Sequence, residues 1–252
     1  MTLWNVLEEL KSHQWVELSH PLNNDAPVWS GIPAGSVELG TTVFDWGREE
    51  LECQIQTFKF PGQLGTHIDF PGHFARGKSL AEEFDSKDLA WPLVVIDIHA
   101  QASENADYEV TLEDIERHEA EYGRIPEGAF VALRTDWSQR WPDGNALNNF
   151  DANGGEHAPG WNVPVLEFLY EQRGIAANGH ETIDTDASVA AERAGDLAAE
   201  RYVLSHGHVQ IELLANLDQV PATGAILFAS VPRIDGATGL PARVWAVVPN
   251  SK

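Results

Sequence analysis

Cysteine is nearly absent from this 252-residue sequence, in which Cys53 is the single one. One thiol cannot form an internal disulfide, and it excludes a zinc site built from several thiolates. Cys53 alternates with the apolar residues Leu51 and Ile55. This pattern favours a buried thiol that fills space over a reactive nucleophile.

Positive charge is also scarce. The sequence has 16 Lys and Arg residues against 39 Asp and Glu residues, which gives a formal net charge of −23. A surface of this sign repels a phosphate backbone and anionic lipid headgroups, so we expect neither a nucleic-acid partner nor a membrane partner. The net charge leaves the substrate open, since a local site can differ in sign from the whole molecule.

Long hydrophobic segments are missing as well. No stretch of the sequence approaches the ~18 consecutive apolar residues of a membrane-spanning helix. Residues 1–10 have the spacing of a short amphipathic helix, and they lack the basic start and apolar centre of a signal peptide. The sequence therefore predicts a cytoplasmic protein.

Short apolar strands alternate with amphipathic helices along the chain. Strand-like runs cover residues 14–18, 52–60, 93–98, 128–133, 225–229 and 242–248, and helical periodicity covers residues 111–122, 163–172 and 186–204. Several strands are apolar on both faces, which predicts an α/β fold whose mixed sheet is covered by helices. No repeat and no long flexible linker divides the sequence, so we expect one domain over residues 1–252.

The strongest local signal reads Gln-Leu-Gly-Thr-His-Ile-Asp-Phe-Pro-Gly-His-Phe over residues 63–74. In an extended segment His67 and Asp69 point to the same side, and together they suit a divalent cation such as zinc or manganese. Pro71 and Gly72 then turn the chain, so that His73 faces back as a general acid or base. The opposing interpretation is that both histidines are ordinary surface or core residues and that Asp69 caps a turn.

A second signal lies at residues 206–217, where polar and apolar residues alternate after Gly207. As a strand, this segment places His208, Gln210 and Glu212 on one face. That face is either a set of distant metal ligands or the solvated side of an edge strand, and the alternation alone fits both.

The sequence of residues 65–74 resembles the Gly-Thr-His-x-Asp-x-Pro-x-His-Phe signature of the metal-dependent cyclase-like hydrolases. That family includes bacterial kynurenine formamidases, isatin hydrolases and trans-dienelactone hydrolases. Three further segments resemble the family in the same order along the chain: residues 16–22 with the loop at Trp29, residues 212–218, and residues 236–243.

The resemblance implies a compact domain of the swivelling β/β/α type that assembles as a homodimer or homotetramer. It also implies one or two divalent metals, Mn²⁺ or Zn²⁺, and the hydrolysis of a small-molecule substrate. Matched residue by residue, His67, Asp69 and Glu212 correspond to metal ligands and His73 to the catalytic histidine. Trp29 corresponds to an aromatic wall of the substrate pocket.

Two positions depart from the family pattern. Gln63 stands where the family commonly has a first histidine ligand, and Glu200 stands where the binuclear formamidases have another. Either the second metal is absent, or the site is richer in oxygen donors, which favour manganese over zinc. His208 is a candidate replacement imidazole, and His180 is a candidate pocket residue.

We therefore predict a metal-dependent hydrolase that cleaves an aryl-formamide or a lactam by metal-activated water. Gln63, His67, Asp69 and Glu212 would hold the metal, and His73 would move the proton. One alternative is a lactone hydrolase in the degradation of aromatic compounds. The other is a catalytically inactive relative that acts as a binding protein.

Overall fold

The computed structural model describes residues 1–47 and 52–250, and its centre is a nine-stranded mixed sheet. The strands are β1 (Gln14–Glu17), β2 (Glu38–Phe44), β3 (Ile55–Lys59), β4 (His67–Asp69), β5 (Ala90–Asp97), β6 (Phe130–Arg134), β7 (Ala177–His180), β8 (Val209–Glu212), β9 (Ala225–Ser230), β10 (Gly239–Pro241) and β11 (Arg243–Val248). The order in the sheet is β1-β11-β9-β5-β6-β7-β8-β4-β10, and β2 and β3 form a separate hairpin.

Parallel pairing is confined to the middle of this sheet. Strands β5, β6, β7 and β8 run parallel to one another, and the remaining neighbours pair antiparallel. The α-helices are α1 (Leu3–Ser12), α2 (His99–Glu104), α3 (Leu112–Tyr122), α4 (Gly144–Asn148), α5 (Val163–Glu167), α6 (Ser188–Ala194) and α7 (Ala198–Ser205), and a π-helical turn over Phe168–Arg173 continues α5. The predicted α/β architecture, with a mixed sheet covered by helices, is confirmed.

Two apolar cores form on opposite faces of the parallel strands. In β5, Leu93 and Val95 belong to one core, whereas Val94 and Ile96 belong to the other. Successive strand residues point to opposite faces, so a strand buried on both sides must be apolar at every position. The second core is closed by helices α3, α5 and α7.

The six predicted strands are present among the described residues, with ends shifted by a few positions. The strand predicted over residues 52–60 differs most from the structure. Strand β3 begins only at Ile55, and every one of its residues is exposed. Cys53 is half-buried just before this strand, and Leu51 lies outside the described residues. Apolar alternation therefore identified the strand there but did not indicate burial.

The predicted helix over residues 186–204 is wrong as a single element. Gly195, with φ of +64°, ends α6, and a second helix, α7, begins at Ala198. Asp186 does not cap the first of these helices. Its carboxylate accepts the backbone N–H groups of Ala199 and Glu200 at 2.8 and 3.1 Å, so it caps α7 from thirteen residues upstream.

No helix within the described residues is long and apolar enough to cross a membrane.

A buried carboxylate fixes the loop beyond β6. Glu181 is 1% exposed and directly follows β7. Its carboxylate accepts the backbone N–H groups of Thr135 and Asp136 at 2.7 and 2.6 Å and the Ser138 hydroxyl at 2.7 Å. These hydrogen bonds satisfy the backbone N–H groups that directly follow β6. They lie next to the end of β7 that carries His180.

We expect Glu181→Ala to lower the free energy of unfolding by about 3 kcal/mol, because it leaves several buried donors without an acceptor. Urea unfolding followed by circular dichroism measures the change. The matched control is Glu116→Ala on the exposed side of α3, which should stay within about 0.5 kcal/mol of the wild type. An equal effect of the two substitutions would contradict this role for Glu181.

Candidate metal centre and catalytic site

Strand β4 lies between β8 and β10, and its register brings the candidate residues together. His67 is paired with Glu212 across the strands, and Asp69 is paired with Gln210 on one side and Gly239 on the other. Side chains of directly opposed residues lie on the same face of a sheet. The predicted shared face of His67 and Asp69 therefore meets the predicted shared face of Gln210 and Glu212.

His67, Asp69 and Glu212 form a buried cluster. His67 Nε2 lies 3.3 Å from Asp69 Oδ2 and 3.4 Å from Glu212 Oε2, and the three residues are at most 5% exposed. His67 Nδ1 donates to the Gly65 carbonyl oxygen at 2.8 Å, which leaves the lone pair of the neutral ring on Nε2. That atom has no hydrogen-bond partner within the described residues.

A second group of possible ligands shares Asp69 with the first. His73 Nε2 lies 4.0 Å from Asp69 Oδ1 and 3.9 Å from Glu200 Oε1. His73 follows β4 in a single 3₁₀ turn begun by Pro71, and Glu200 lies in the first turn of α7. The His73 side chain is 28% exposed, whereas the carboxylates beside it are buried. The predicted turn that brings His73 back to Asp69 is therefore present.

The site concentrates negative charge away from water. Burial, then repulsion by Glu212 and Asp69, raises the pKa of Glu200 well above its ordinary value. Burial, then repulsion by Glu212, raises the pKa of Asp184 to about 7. Burial by itself lowers the pKa of His67, but Asp69 and Glu212 outweigh it and raise that pKa well above the usual range. The carboxylates thus stabilise a cation at this position.

Gln63 lies against the same carboxylate, with its Nε2 donating to Asp69 Oδ1 at 3.1 Å. Gly239 makes this approach possible. A Cβ at position 239 would overlap Gln63 Nε2 and would come within 2.8 Å of Asp69 Oδ1. The side-chain amide of Gln63 therefore reaches the cluster only because β10 carries no side chain at that point.

Two residues outside the predicted ligand set hold the cluster in place, and Thr185 is the one that sequence reasoning missed. Gln210 Nε2 donates to Glu212 Oε1 at 3.0 Å and lies 3.5 Å from Asp69 Oδ2. Thr185 Oγ1 donates to Gln210 Oε1 at 2.8 Å, which turns the NH₂ group toward the carboxylates. The alternation in residues 208–213 had placed Gln210 on the Glu212 face, but nothing in the sequence indicated Thr185.

Of the remaining candidate residues, His180 lies beside the cluster, whereas His208 and Trp29 belong to neither ligand group. His180 is fully buried, with neither ring nitrogen hydrogen-bonded within the described residues, and its Nε2 lies 3.5 Å from Glu212 Oε1. His208 stacks on Tyr170 with ring centroids 3.9 Å apart and is in neither ligand group. Trp29 is 66% exposed in the loop between β1 and β2. Strand β8 is buried throughout, so its interpretation as a solvated edge strand is wrong.

The residues present fit a divalent cation. Two buried carboxylates converge on His67 Nε2, and this arrangement requires a positive charge at that point, from a proton on the ring or from a bound metal ion. His67, Asp69 and Glu212 offer ligand atoms within 4.8 Å of one another, and so do Asp69, His73 and Glu200. One imidazole with several oxygen donors is a ligand set for a manganese or zinc ion.

We expect Gln210→Leu to weaken metal affinity by about 10- to 100-fold, because the donor that orients both carboxylates is lost. Competition with a metal-sensing chelator measures the dissociation constant without depending on turnover. Gln219→Leu, at an exposed position, is the matched control and should bind metal as the wild type does. Unchanged affinity in Gln210→Leu would show that the carboxylates need no such support.

The chain is similar to known proteins over most of its length. Residues 16–187 match the family model described as "Putative cyclase". Isatin hydrolase of Roseibium aggregatum is 36% identical over 191 residues, covering 74% of this chain and 72% of that protein. Kynurenine formamidase of Bacillus thuringiensis is 27% identical over 237 residues, covering 93% of this chain and 97% of the relative.

A solved structure extends the similarity over almost the full length. Isatin hydrolase A from Labrenzia aggregata, bound to benzyl benzoate, superposes with a TM-score of 0.88 at 34% identity, covering 98% of this chain and 99% of that one. The fold expected from the resemblance is thereby confirmed. With more than half of its length matched by the family model, the chain belongs to the cyclase family.

Proposed function

We propose that this protein is a metal-dependent hydrolase that opens a cyclic aromatic amide of the isatin type. The observation that carries the proposal is the buried cluster of His67, Asp69 and Glu212, with the half-exposed His73 beside it. The similarity to isatin hydrolases supports the lactam as the substrate class. A lactone hydrolase and an inactive binding protein have less support, because the relatives carry the names of amide-cleaving enzymes.

The reaction is the addition of water across an amide. The water oxygen forms a bond to the carbonyl carbon, and the carbon–nitrogen bond breaks. The nitrogen takes up a proton, and the ring-opened product carries both a carboxylate and an amine. The site must therefore accept a proton from water and return one to nitrogen, while it stabilises the negative charge that develops on the carbonyl oxygen.

His67, Asp69 and Glu212 would hold the metal, and Gln63 would orient Asp69 through the hydrogen bond that its Nε2 donates. When bound there, the ion supplies Lewis acidity that acidifies water and polarises the carbonyl group. Gln210 and Thr185 keep the carboxylates of Asp69 and Glu212 in position.

His73 would move the proton. Its Nε2 faces Asp69 and Glu200, while the ring edge packs against Phe74 with centroids 5.1 Å apart. The partial exposure of His73 leaves room for a substrate on that side of the cluster. One nitrogen of an imidazole can accept a proton while the other donates, so a single ring can take a proton from water and return one to the leaving nitrogen.

Three further features belong to the same proposal. Manganese is favoured over zinc, because the cluster has one imidazole among several oxygen donors. The enzyme acts in the cytoplasm, where a lone cysteine such as Cys53 is ordinary. It works as a homodimer or homotetramer.

A formamide of the kynurenine type is the second candidate substrate, supported by the similarity to kynurenine formamidases.

We expect His73→Ala to retain its metal while kcat falls by about 10²- to 10⁴-fold, because a general acid and base is lost. Asp69→Ala should lose metal and activity together, since this carboxylate belongs to both ligand groups. Elemental analysis and steady-state kinetics on the same preparations separate the two effects. His206→Ala, at an exposed histidine, is the control. If the purified His73→Ala variant contains no metal, His73 is a ligand and its assigned role as the proton carrier is wrong.

Metal removal tests the proposal directly. We expect a chelator to abolish hydrolysis of isatin, and manganese to restore more activity than zinc at equal occupancy, because the ligand set is rich in oxygen. A panel of isatin, an aryl-formamide and a dienelactone, assayed with each metal, ranks the substrate classes by kcat/KM. Full activity in the metal-free protein would exclude the mechanism, and a preference for the lactone would select the alternative substrate.

A further inference from the structure

His180 is a buried histidine that the proposed reaction does not use. It is the last residue of β7 and is fully buried. Neither of its ring nitrogens has a hydrogen-bond partner within the described residues. A buried polar group without a partner is costly, because it has given up its hydrogen bonds to water. A ring kept in this condition beside a metal centre therefore calls for a functional explanation.

The register of the sheet places His180 on the face that carries the metal centre. Asn178 of β7 lies directly opposite Gln210 of β8. Side chains two residues apart in a strand point to the same side, so the later residues of the two strands, His180 and Glu212, also share that face. His180 Nε2 accordingly lies 3.5 Å from Glu212 Oε1. A movement of about 0.3 Å brings this contact into the ordinary range of a hydrogen bond.

The two carboxylate oxygens of Glu212 have different surroundings. Oε2 faces His67 Nε2 at 3.4 Å, whereas Oε1 faces three donor groups. These groups are Gln210 Nε2 at 3.0 Å, Thr185 Oγ1 at 3.2 Å and His180 Nε2 at 3.5 Å. Oε2 is thus the oxygen that a metal ion at His67 would meet, while Oε1 is turned into the protein.

Of these three donors, His180 has no competing acceptor among the described residues. The NH₂ group of Gln210 also lies 3.5 Å from Asp69 Oδ2, and the single hydroxyl hydrogen of Thr185 is directed to Gln210 Oε1 at 2.8 Å. A neutral His180 carries its hydrogen on one of the two ring nitrogens. The Nε2–H form offers that hydrogen to Glu212, whereas the other form would turn a lone pair toward the carboxylate.

Two other roles do not fit His180. It belongs to neither group of ligand atoms that lie within 4.8 Å of one another, so it is not placed to bind the same ion as His67. It is also fully buried, whereas the side chain of His73, the assigned proton carrier, is 28% exposed. His180 therefore acts on the site through Glu212, without touching the ion or the substrate.

We propose that His180 is a positioning residue of the metal centre, whose Nε2–H group holds Glu212 Oε1 so that Glu212 binds the ion through Oε2 alone. A carboxylate fixed in this way is a one-oxygen ligand that is oriented before the metal binds. Hydrogen-bond partners of metal ligands typically contribute about 10- to 100-fold to metal affinity. The inference rests on the proposed metal-dependent function for the presence of the ion, and it is independent of the substrate.

Three substitutions of His180 test this role through metal affinity. We expect His180→Leu to raise the dissociation constant for Mn²⁺ by about 10- to 100-fold, because the donor to Glu212 is lost. His180→Gln places an N–H group close to the position of Nε2 and should bind Mn²⁺ nearly as the wild type does. His180→Asn is equally polar but places its N–H group near the position of Nδ1, so it should bind as weakly as His180→Leu. Competition with a metal-sensing chelator measures each constant without turnover.

His118→Leu is the matched control. His118 in α3 is also a buried histidine whose Nε2 has no hydrogen-bond partner among the described residues, but it is in neither ligand group. This variant should bind Mn²⁺ as the wild type does, and circular dichroism shows whether each variant is folded.

Visible absorption of the Co²⁺-loaded protein reports the number of ligand atoms, which a merely structural role would not change. In His180→Leu the released Oε1 can also reach the ion, so the Co²⁺ bands should weaken as the coordination number rises. His180→Gln should keep the bands of the wild type.

Wild-type affinity in both His180→Leu and His180→Asn would overturn the proposal. Equal weakening in His180→Gln and His180→Asn would overturn it too, since lost packing would then explain both. If His180→Leu does not fold, the comparison of His180→Gln with His180→Asn still decides. A wild type without affinity for Mn²⁺ or Zn²⁺ would contradict the metal centre as well. A wild type that binds Mn²⁺ but hydrolyses no member of the substrate panel would contradict the proposed function and leave the role of His180 standing.

Discussion

The burial of several carboxylates beside His67 and His73 is the constraint on which the rest of the site depends. Asp69, Glu200 and Glu212 lie within a few ångströms of His67 or His73, and each is at least 95% buried. Such a group is costly in an apolar interior unless a cation balances it. The carboxylates are held together against their repulsion by the two apolar cores, by the pairing of β8 with β7 and β4, and by the hydrogen bonds from Gln210.

The fold class could be predicted from hydrophobic periodicity, because strands such as β5 and β6 are apolar on both faces and helices such as α3 have one apolar stripe. The ends of helices were harder to predict from the sequence. Gly195 interrupts a helical pattern that continues on both sides of it, and a period of 3.6 residues does not indicate a break by itself.

Half of the metal centre could be predicted, since the two-residue repeat of a strand places His67 with Asp69 and Gln210 with Glu212. The other half depends on the pairing of β4 with β8, which joins residues about 140 positions apart in the chain. Periodicity gives the face of a strand but not its neighbour or its register. Thr185 and Gly239 escaped prediction for the same reason, because each contributes only through contacts with distant residues.

Asp186 has a consequence for how this site can diversify. Its carboxylate holds the first turn of α7, so the position of Glu200 depends on a cap outside its own helix. His67, Asp69 and Glu212, by contrast, are fixed by the backbone ladder of the sheet. The two ligand groups share Asp69 of the sheet, but Glu200 is positioned independently by α7 and its cap. Substitutions in α7 or its cap can alter the number of ions held, while the sheet-borne group is inherited unchanged.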